Sequence, residues 1–296
     1  MILSLGEILY DIFPDRRVLG GAPFNVCYHL VNLGLPAFLA SRIGNDEWGR
    51  RILKKLSTMG LSAEYIQVDR ERETGSVGVL LDKSGVPNFT IRSDVAYDHL
   101  AAQEALLRLV ESNIRMVYYG TLGQRGAVSG RTIQTILASS PESVKKFCDL
   151  NLRKNCFTEA TVRFSLAVAD ILKVNETEFS LLRRLFPRPG TRGRYALFLM
   201  EKFDLEWLAV TMGEQGSHLF ADKAYHTPSK GAFPVVDTVG AGDGYSAVLM
   251  AGYGLKWPLE RIFERADRFA RDLCLIRGAV PEDLAFYDKY SGWKQE

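Results

Sequence analysis

The chain has 296 residues, with 37 Lys or Arg against 35 Asp or Glu, and a formal net charge of +2. That balance excludes a protein that works through a basic face on nucleic acid or membrane, and no uncharged apolar run is long enough to span a bilayer. Apolar residues at 47% and charged residues at 24% argue against disorder, and the length permits one large α/β domain or two ordinary ones.

The first stretch, "ILSLGEILYDIF", is rich in Ile and Leu, so a buried strand leads to a second strand after Glu7. Glu7, Asp11 and the missing basic segment argue against a secretory leader. "GGAPFNVCYHLVNLG" then predicts a helix: Gly20 and Gly21 break the chain, Pro23 suits a first turn and Gly34 an end. "PAFLASRIG" reads as a strand. "NDEWGRRILKKLSTMG" reads as a helix capped by Asn45 or Asp46 and closed by Gly60. "TGSVGVLLDKSGVPNFTIR" holds two β-rich runs around a turn, with no helical pattern between them. From residue 100 helices and strands alternate regularly, through "RMVYYG", "KKFCDL", "DILKVN" and "WLAVTMG". "GSHLFADKAYHTP" predicts a further hairpin, and helices at 241–254 and 258–276 close the chain. Such alternation predicts a parallel sheet covered on both faces, with the β-only hairpin forming a small extra sheet. Cys27, Cys148, Cys156 and Cys274 lack CxxC spacing and read as reduced thiols of a cytoplasmic protein.

No GxxxxGK[ST] stretch exists, and "GAGDG" does not satisfy GxGxxG, so neither a Walker loop nor a dinucleotide fingerprint is present. His29, His99, His218 and His226 are scattered and form no metal-ligand pattern. The informative segment is "DTVGAGDGYSAVLMAGYG". Gly240, Ala241 and Gly242 leave backbone N–H groups open to an anion at the start of an apolar helix. Asp243 beside them is either a general base for an attacking hydroxyl or a helix cap. "NETE" carries the same rivalry, because Asn175 with Glu178 three residues later also spells a capping box.

Taken together, "GGAPFNVCYHLVNLG" and "DTVGAGDGYSAVLMAGYG" resemble the two signatures of the ribokinase-like, phosphofructokinase-B-type sugar kinases. "DLNLR", "KVNETE" and "TMGEQGS" match landmarks between them, so the resemblance spans the chain. It implies a single kinase domain over residues 1–296, a three-layer α/β/α sandwich with a mostly parallel sheet and a small β lid, at about 11–20 and 73–97. It implies transfer of the γ-phosphate of ATP to a sugar hydroxyl, with Mg²⁺. Asp243 takes the place of the family's base and Gly240, Ala241 and Gly242 that of its anion hole. Asp11, Gly20, Gly21 and Asn25 fall where the sugar is held; Arg92, Tyr97 and Arg153 fall at further sugar contacts. Asn175, Thr211, Gly213 and Gly216 fall beside the nucleotide, and Glu178 on the hydration shell of Mg²⁺. Asp237 falls at a monovalent cation, so K⁺ is a candidate cofactor. Gly244 and Tyr245 depart from the family's usual residues; Gly244 loosens the first turn and the Tyr245 hydroxyl, if buried, needs a partner. The motifs look most like the fructokinase branch. A 2-keto-3-deoxygluconate-type sugar-acid kinase comes next, then a ribokinase or nucleoside kinase. A non-catalytic sugar-binding regulator is the reading from another class. By the same resemblance two copies pair through their lids.

Overall fold

The opening strand, β1 (Ile2–Leu5), is buried at all four positions, as a strand with helices on both sides must be. The computed structural model describes residues 1–81, 87–227 and 234–294. After β1 the chain makes an antiparallel pair, β2 (Leu9–Ile12) and β3 (Arg17–Gly20), then α1 (Ala22–Asn32), β4 (Ala37–Gly44), α2 (Glu47–Thr58) and β5 (Ile66–Asp69). Next come the two strands β6 (Gly75–Leu81) and β7 (Pro87–Ile91). The alternating half follows: α3 (Glu104–Ser112), β8 (Met116–Tyr119), α4 (Ala127–Ser139), β9 (Lys145–Asp149), α5 (Glu159–Ala167), β10 (Ile171–Asn175), α6 (Glu176–Leu185), α7 (Arg192–Phe203) and β11 (Trp207–Thr211). The hairpin β12 (Ser217–Phe220) and β13 (Ala224–Thr227) leads to α8 (Ala241–Gly254) and α9 (Leu259–Leu273). The turn expected from "DKSGVPN" at 82–88 lies outside the described residues over 82–86, and its last two residues open β7.

Among the described residues, nine strands form one sheet in the order β13-β12-β11-β10-β9-β8-β1-β4-β5, and four form a second, β3-β2-β6-β7. From β5 to β11 every pairing is parallel, and β12 and β13 add an antiparallel edge. In the small sheet β2 pairs parallel with β6 and antiparallel with β3. The two faces of the large sheet carry separate cores. Side chains of α1, α2, α8 and α9 fill one, and those of α3 to α7 fill the other. In α9 the buried set Ile262, Phe263, Ala266, Phe269 and Leu273 recurs every three or four residues, which makes one apolar stripe. In α8 every residue from Gly244 to Gly252 is buried, so that helix lies between sheet and neighbours. No helix among the described residues is long and apolar enough to cross a membrane.

Several elements had no clear sequence signal: β3, β5 and the 3₁₀ helix Leu284–Lys294, whose aromatic side chains pack on Phe269. The helix expected at 100–112 begins only at Glu104. The second hairpin extends the large sheet at its β11 edge.

Candidate active site

Chain turns at the carboxyl edge of the large sheet leave a cleft of about 380 Å³. Its walls bring together Asp11 of β2, Gly21 and Asn25 of the α1 start, Arg153 after β9, Asn175 ending β10, and Gly240, Gly242 and Asp243 at the start of α8. These residues are up to 232 positions apart in sequence, and they meet because ligands bind where parallel strands end. A second cavity of about 340 Å³ is lined by Gly213, Gly216, Ser217, Tyr245 and Cys274. The two cavities share Thr211, Thr238 and Gly242. They therefore meet at the N-terminus of α8.

The local sequence explains the shape of that junction. Gly240 caps α8 in the left-handed region, at φ 79°, and a Cβ there would lie 2.4 Å from Ala279 Cα. Only glycine fits both conditions. The N–H of Ala241 donates to Thr238 O at 3.3 Å, so that amide is taken and the three-residue anion hole expected from sequence is corrected. The N–H groups of Gly242 and Asp243 find no acceptor among the described residues, and α8 has no side-chain cap. Unpaired N–H groups at a helix start favour an anion. Across α1, Gly21 has φ 110° and a Cβ on it would lie 2.5 Å from Glu7 O. Gly20 leaves room for Asp11, whose Oδ2 would be 2.9 Å from a Cβ at that position.

Asp243 is half-buried and does not cap α8. Its Oδ2 accepts a hydrogen bond from Asn25 Nδ2 at 2.7 Å. Asn25 Oδ1 is buried with no partner, an acceptor left free beside the cleft. Burial, then the neighbouring Asp149 carboxylate, pushes the Asp243 carboxyl above its usual range; Asn25 and Lys173 oppose the rise. A carboxylate raised toward neutrality is a better proton acceptor for a hydroxyl. Burial also pushes Asp11 up to about 6 and Glu7 up to about 7, against the nearby Arg153. Arg153 is exposed and has no ion-pair partner among the described residues.

Three residues at the site carried no separate prediction: Glu7, Asp149 and Lys173. Lys173 Nζ lies 3.1 Å from both Asp149 oxygens, and a Cβ on Gly242 would be 3.0 Å from that nitrogen. Burial is the largest influence on the Lys173 ammonium and pulls it down, but the carboxylates of Asp149, Glu178 and Asp243 together hold it above its ordinary value. Asp149 also accepts from Ser246 Oγ at 2.9 Å. The signal was available: Lys173 sits between Leu172 and Val174 in an apolar strand, where a charge requires a partner.

Two of the expected sugar contacts, Arg92 and Tyr97, do not line the cleft. Arg92 is ion-paired with Glu73 and lines a different cavity, with Tyr10 and Trp48. Ile91 lines the cleft instead, because side chains alternate along an extended chain. Tyr97 is 1% exposed, away from the cleft. Its ring lies under the Arg125 guanidinium at 4.9 Å and against Gly75, where a Cβ would be 2.5 Å from Tyr97 Cε1. The capping-box reading of "NETE" holds: Glu178 Oε2 accepts from Asn175 N at 2.8 Å and Asn175 Oδ1 from Glu178 N at 2.9 Å. Glu178 Oε1 accepts from Leu152 N, and the residue is buried and does not line the cleft. Asp237 Oδ1 accepts from Val239 N and its Oδ2 from Gly278 N, both at 3.0 Å. The Tyr245 hydroxyl has its partner, Ser217 Oγ at 3.2 Å.

Two cavities thus meet at a helix start where parallel strands end, as in α/β folds that bind ligands at the carboxyl edge of the sheet, and one of them holds a raised carboxylate. Residues 15–281 match the pfkB family of carbohydrate kinases, and the chain belongs to that family. A putative sugar kinase of Pyrococcus horikoshii is 28% identical over 270 residues, 85% of this chain and 82% of that protein. Its crystal structure in complex with ATP superposes with a TM-score of 0.79, covering 94% of each chain. A fructokinase of Escherichia coli is 26% identical over 293 residues, 93% of this chain and 94% of that one. A fructokinase double mutant of Vibrio cholerae, solved with fructose, ADP and a potassium ion, has a TM-score of 0.78 at 21% identity over 97% of each chain. The protein is a sugar kinase of ribokinase-like fold.

Proposed function

We propose that the larger cleft takes a fructose-like sugar and that Asp243 is the base of the transfer. The sugar hydroxyl gives its proton to Asp243 as its oxygen bonds to the γ-phosphorus of ATP. The bond from that phosphorus to the bridging oxygen breaks, and ADP leaves. The N–H groups of Gly242 and Asp243 face the charge on the phosphoryl group, with the Lys173 ammonium beside them. Asp11, Asn25 and the backbone at Gly21 hold the sugar; Thr211, Gly213 and Gly216 line the nucleotide side. The observation that carries this reading is the meeting of the two cavities at Gly242, next to Asp243.

No group of three or more metal-ligating side chains exists among the described residues. Asn175 lines the cleft and the Glu178 oxygens each accept from a backbone N–H, so these two would hold Mg²⁺ only through water, beside the nucleotide phosphates. Held there, Mg²⁺ would supply positive charge that offsets the charge of the nucleotide phosphates. The Asp237 loop is the candidate K⁺ position. The small sheet is the lid of the single kinase domain, and its edge strands β3 and β7 pair two copies of a cytoplasmic enzyme; a monomer mass in sedimentation at micromolar concentration overturns that pairing.

The test is a panel of sugars, sugar acids and nucleosides with ATP and Mg²⁺. Fructose is expected to be the best acceptor. Preference for a sugar acid would instead assign the unpaired Arg153 to a carboxylate. Asp243→Asn is expected to lower turnover by about 10²–10⁴-fold while sugar binding, read by calorimetry, persists. No turnover by the unaltered protein on any acceptor would leave a sugar-binding regulator.

A further inference from the structure

Beside the acceptor cleft lies a wider hollow of about 770 Å³, and Ile91 and Arg153 line both. One arginine, Arg125, ties the walls of the two spaces together. It ends the short turn before α4 and is 10% exposed. Its Nε donates to Asp98 Oδ1 at 2.8 Å and its Nη2 to Asp98 Oδ2 at 2.9 Å. The same Nη2 donates to Arg92 O at 2.5 Å, on the chain leaving β7. Nη1 points to Cys156 Sγ at 3.7 Å, and Cys156 N closes a turn onto Arg153 O at 2.9 Å. Asp98, 5% exposed, also accepts from Val95 N at 3.2 Å. One planar guanidinium thus reaches three separate segments: the exit of the small sheet, the Asp98 turn and the turn that bears Arg153. A fork with five fixed donors does this in a way an ammonium cannot.

We propose that Arg125 is a positioning residue for the acceptor: it fixes the distance between the small sheet and the Arg153 turn, and with it the width of the cleft. The inference rests on the sugar being bound in that cleft. Arg125 touches neither the reacting atoms nor the nucleotide cavity, so its loss separates acceptor binding from the rest.

Arg125→Lys keeps the charge and removes the fork. The KM for fructose is expected to rise about tenfold, the effect of losing one charged hydrogen-bonding pair, with kcat and the KM for ATP within about twofold. Backbone hydrogen exchange without substrates is expected to speed up together at 90–98 and 152–157 and to stay unchanged in α8. Cys156→Val breaks only one arm. It is expected to speed exchange at 152–157 alone and to raise the fructose KM less, which keeps the proposal testable if Arg125→Lys folds poorly. Unchanged exchange in both segments, or an equal rise in the KM values of fructose and ATP, overturns it. If the unaltered protein phosphorylates no acceptor, the kinase reading of the cleft fails, and exchange alone still decides whether Arg125 joins the two segments.

Discussion

Two buried charges set the behaviour of single residues at this site. Glu7 is 4% exposed, and its carboxyl is raised from an ordinary 4.5 to about 7. Between those values the folded chain holds a proton that the unfolded chain has lost, so stability falls as pH rises from about 4.5 to about 7 and is level above. Glu7→Gln is expected to gain on the unaltered protein across that window, by roughly 3 kcal/mol at most. Denaturant melts at several pH values check this; a gap that does not change with pH would mean Glu7 stays ionised. Lys173 and Asp149 are the second case. Lys173→Met strands a buried carboxylate and is expected to cost about 3–5 kcal/mol. Adding Asp149→Asn restores most of that stability. Turnover stays low in the double variant if the ammonium beside Gly242 also serves the phosphoryl group. Full recovery of turnover would show that it serves Asp149 alone.

At the scale of elements, the start of α8 is constrained from both sides. Gly244 does not loosen a free first turn, as its helix propensity suggested. A Cβ there would lie 2.2 Å from Leu273 Cδ1 and 3.0 Å from Phe269, so glycine is what lets α9 pack against α8. Gly244→Ala pits a propensity gain of about 1 kcal/mol against overpacking of about 1–3 kcal/mol. The net expectation is a loss, because Leu273 and Phe269 are both fully buried. Thermal unfolding checks the sign, and a higher melting temperature would mean α9 shifts freely. The same contrast separates Gly240, pressed on the Ala279 backbone, from Gly213, where an added Cβ meets nothing within 4 Å.

For the whole molecule, the chain's end closes the core. Tyr287, Tyr290 and Trp293 are buried around Phe269, and Arg265 lies over the Trp293 ring at 5.0 Å. His29, inside α1, meets the Tyr287 hydroxyl at 2.7 Å and Ala279 O at 3.1 Å. Burial holds its imidazole down at about 3. That contribution has the opposite sign to Glu7: stability is lost as pH falls from about 6.5 toward 3, where only the unfolded chain takes the proton. Trp293→Ala is expected to cost about 3–5 kcal/mol and to leave kcat per folded molecule unchanged, since Trp293 touches neither cavity. Denaturant midpoint and single-point kinetics check both halves, and a lost kcat would place the tail in the catalytic machinery.

Much of the architecture was legible in order along the chain. Helix ends at Asp46, Gly34 and Asn175, the alternating half and the Asp243 loop are all set by neighbours within four residues, where capping and periodicity act. Asp11, Gly21, Asn25 and Asp243 were legible as a set through their motifs, and the fold brings them to one cleft. What the sequence could not settle depends on partners far away. Arg92 and Tyr97 leave the cleft because strand alternation and the Arg125 contact send their side chains elsewhere. Lys173 finds Asp149 across adjacent strands, Gly244 answers to Leu273 on another helix, and the Ala241 amide is taken by a turn whose closure no spacing announces. Short-range rules fixed what each segment is. Long-range packing, in which close approach and buried charge outweigh local preference, decided which side chain each segment presents to the site.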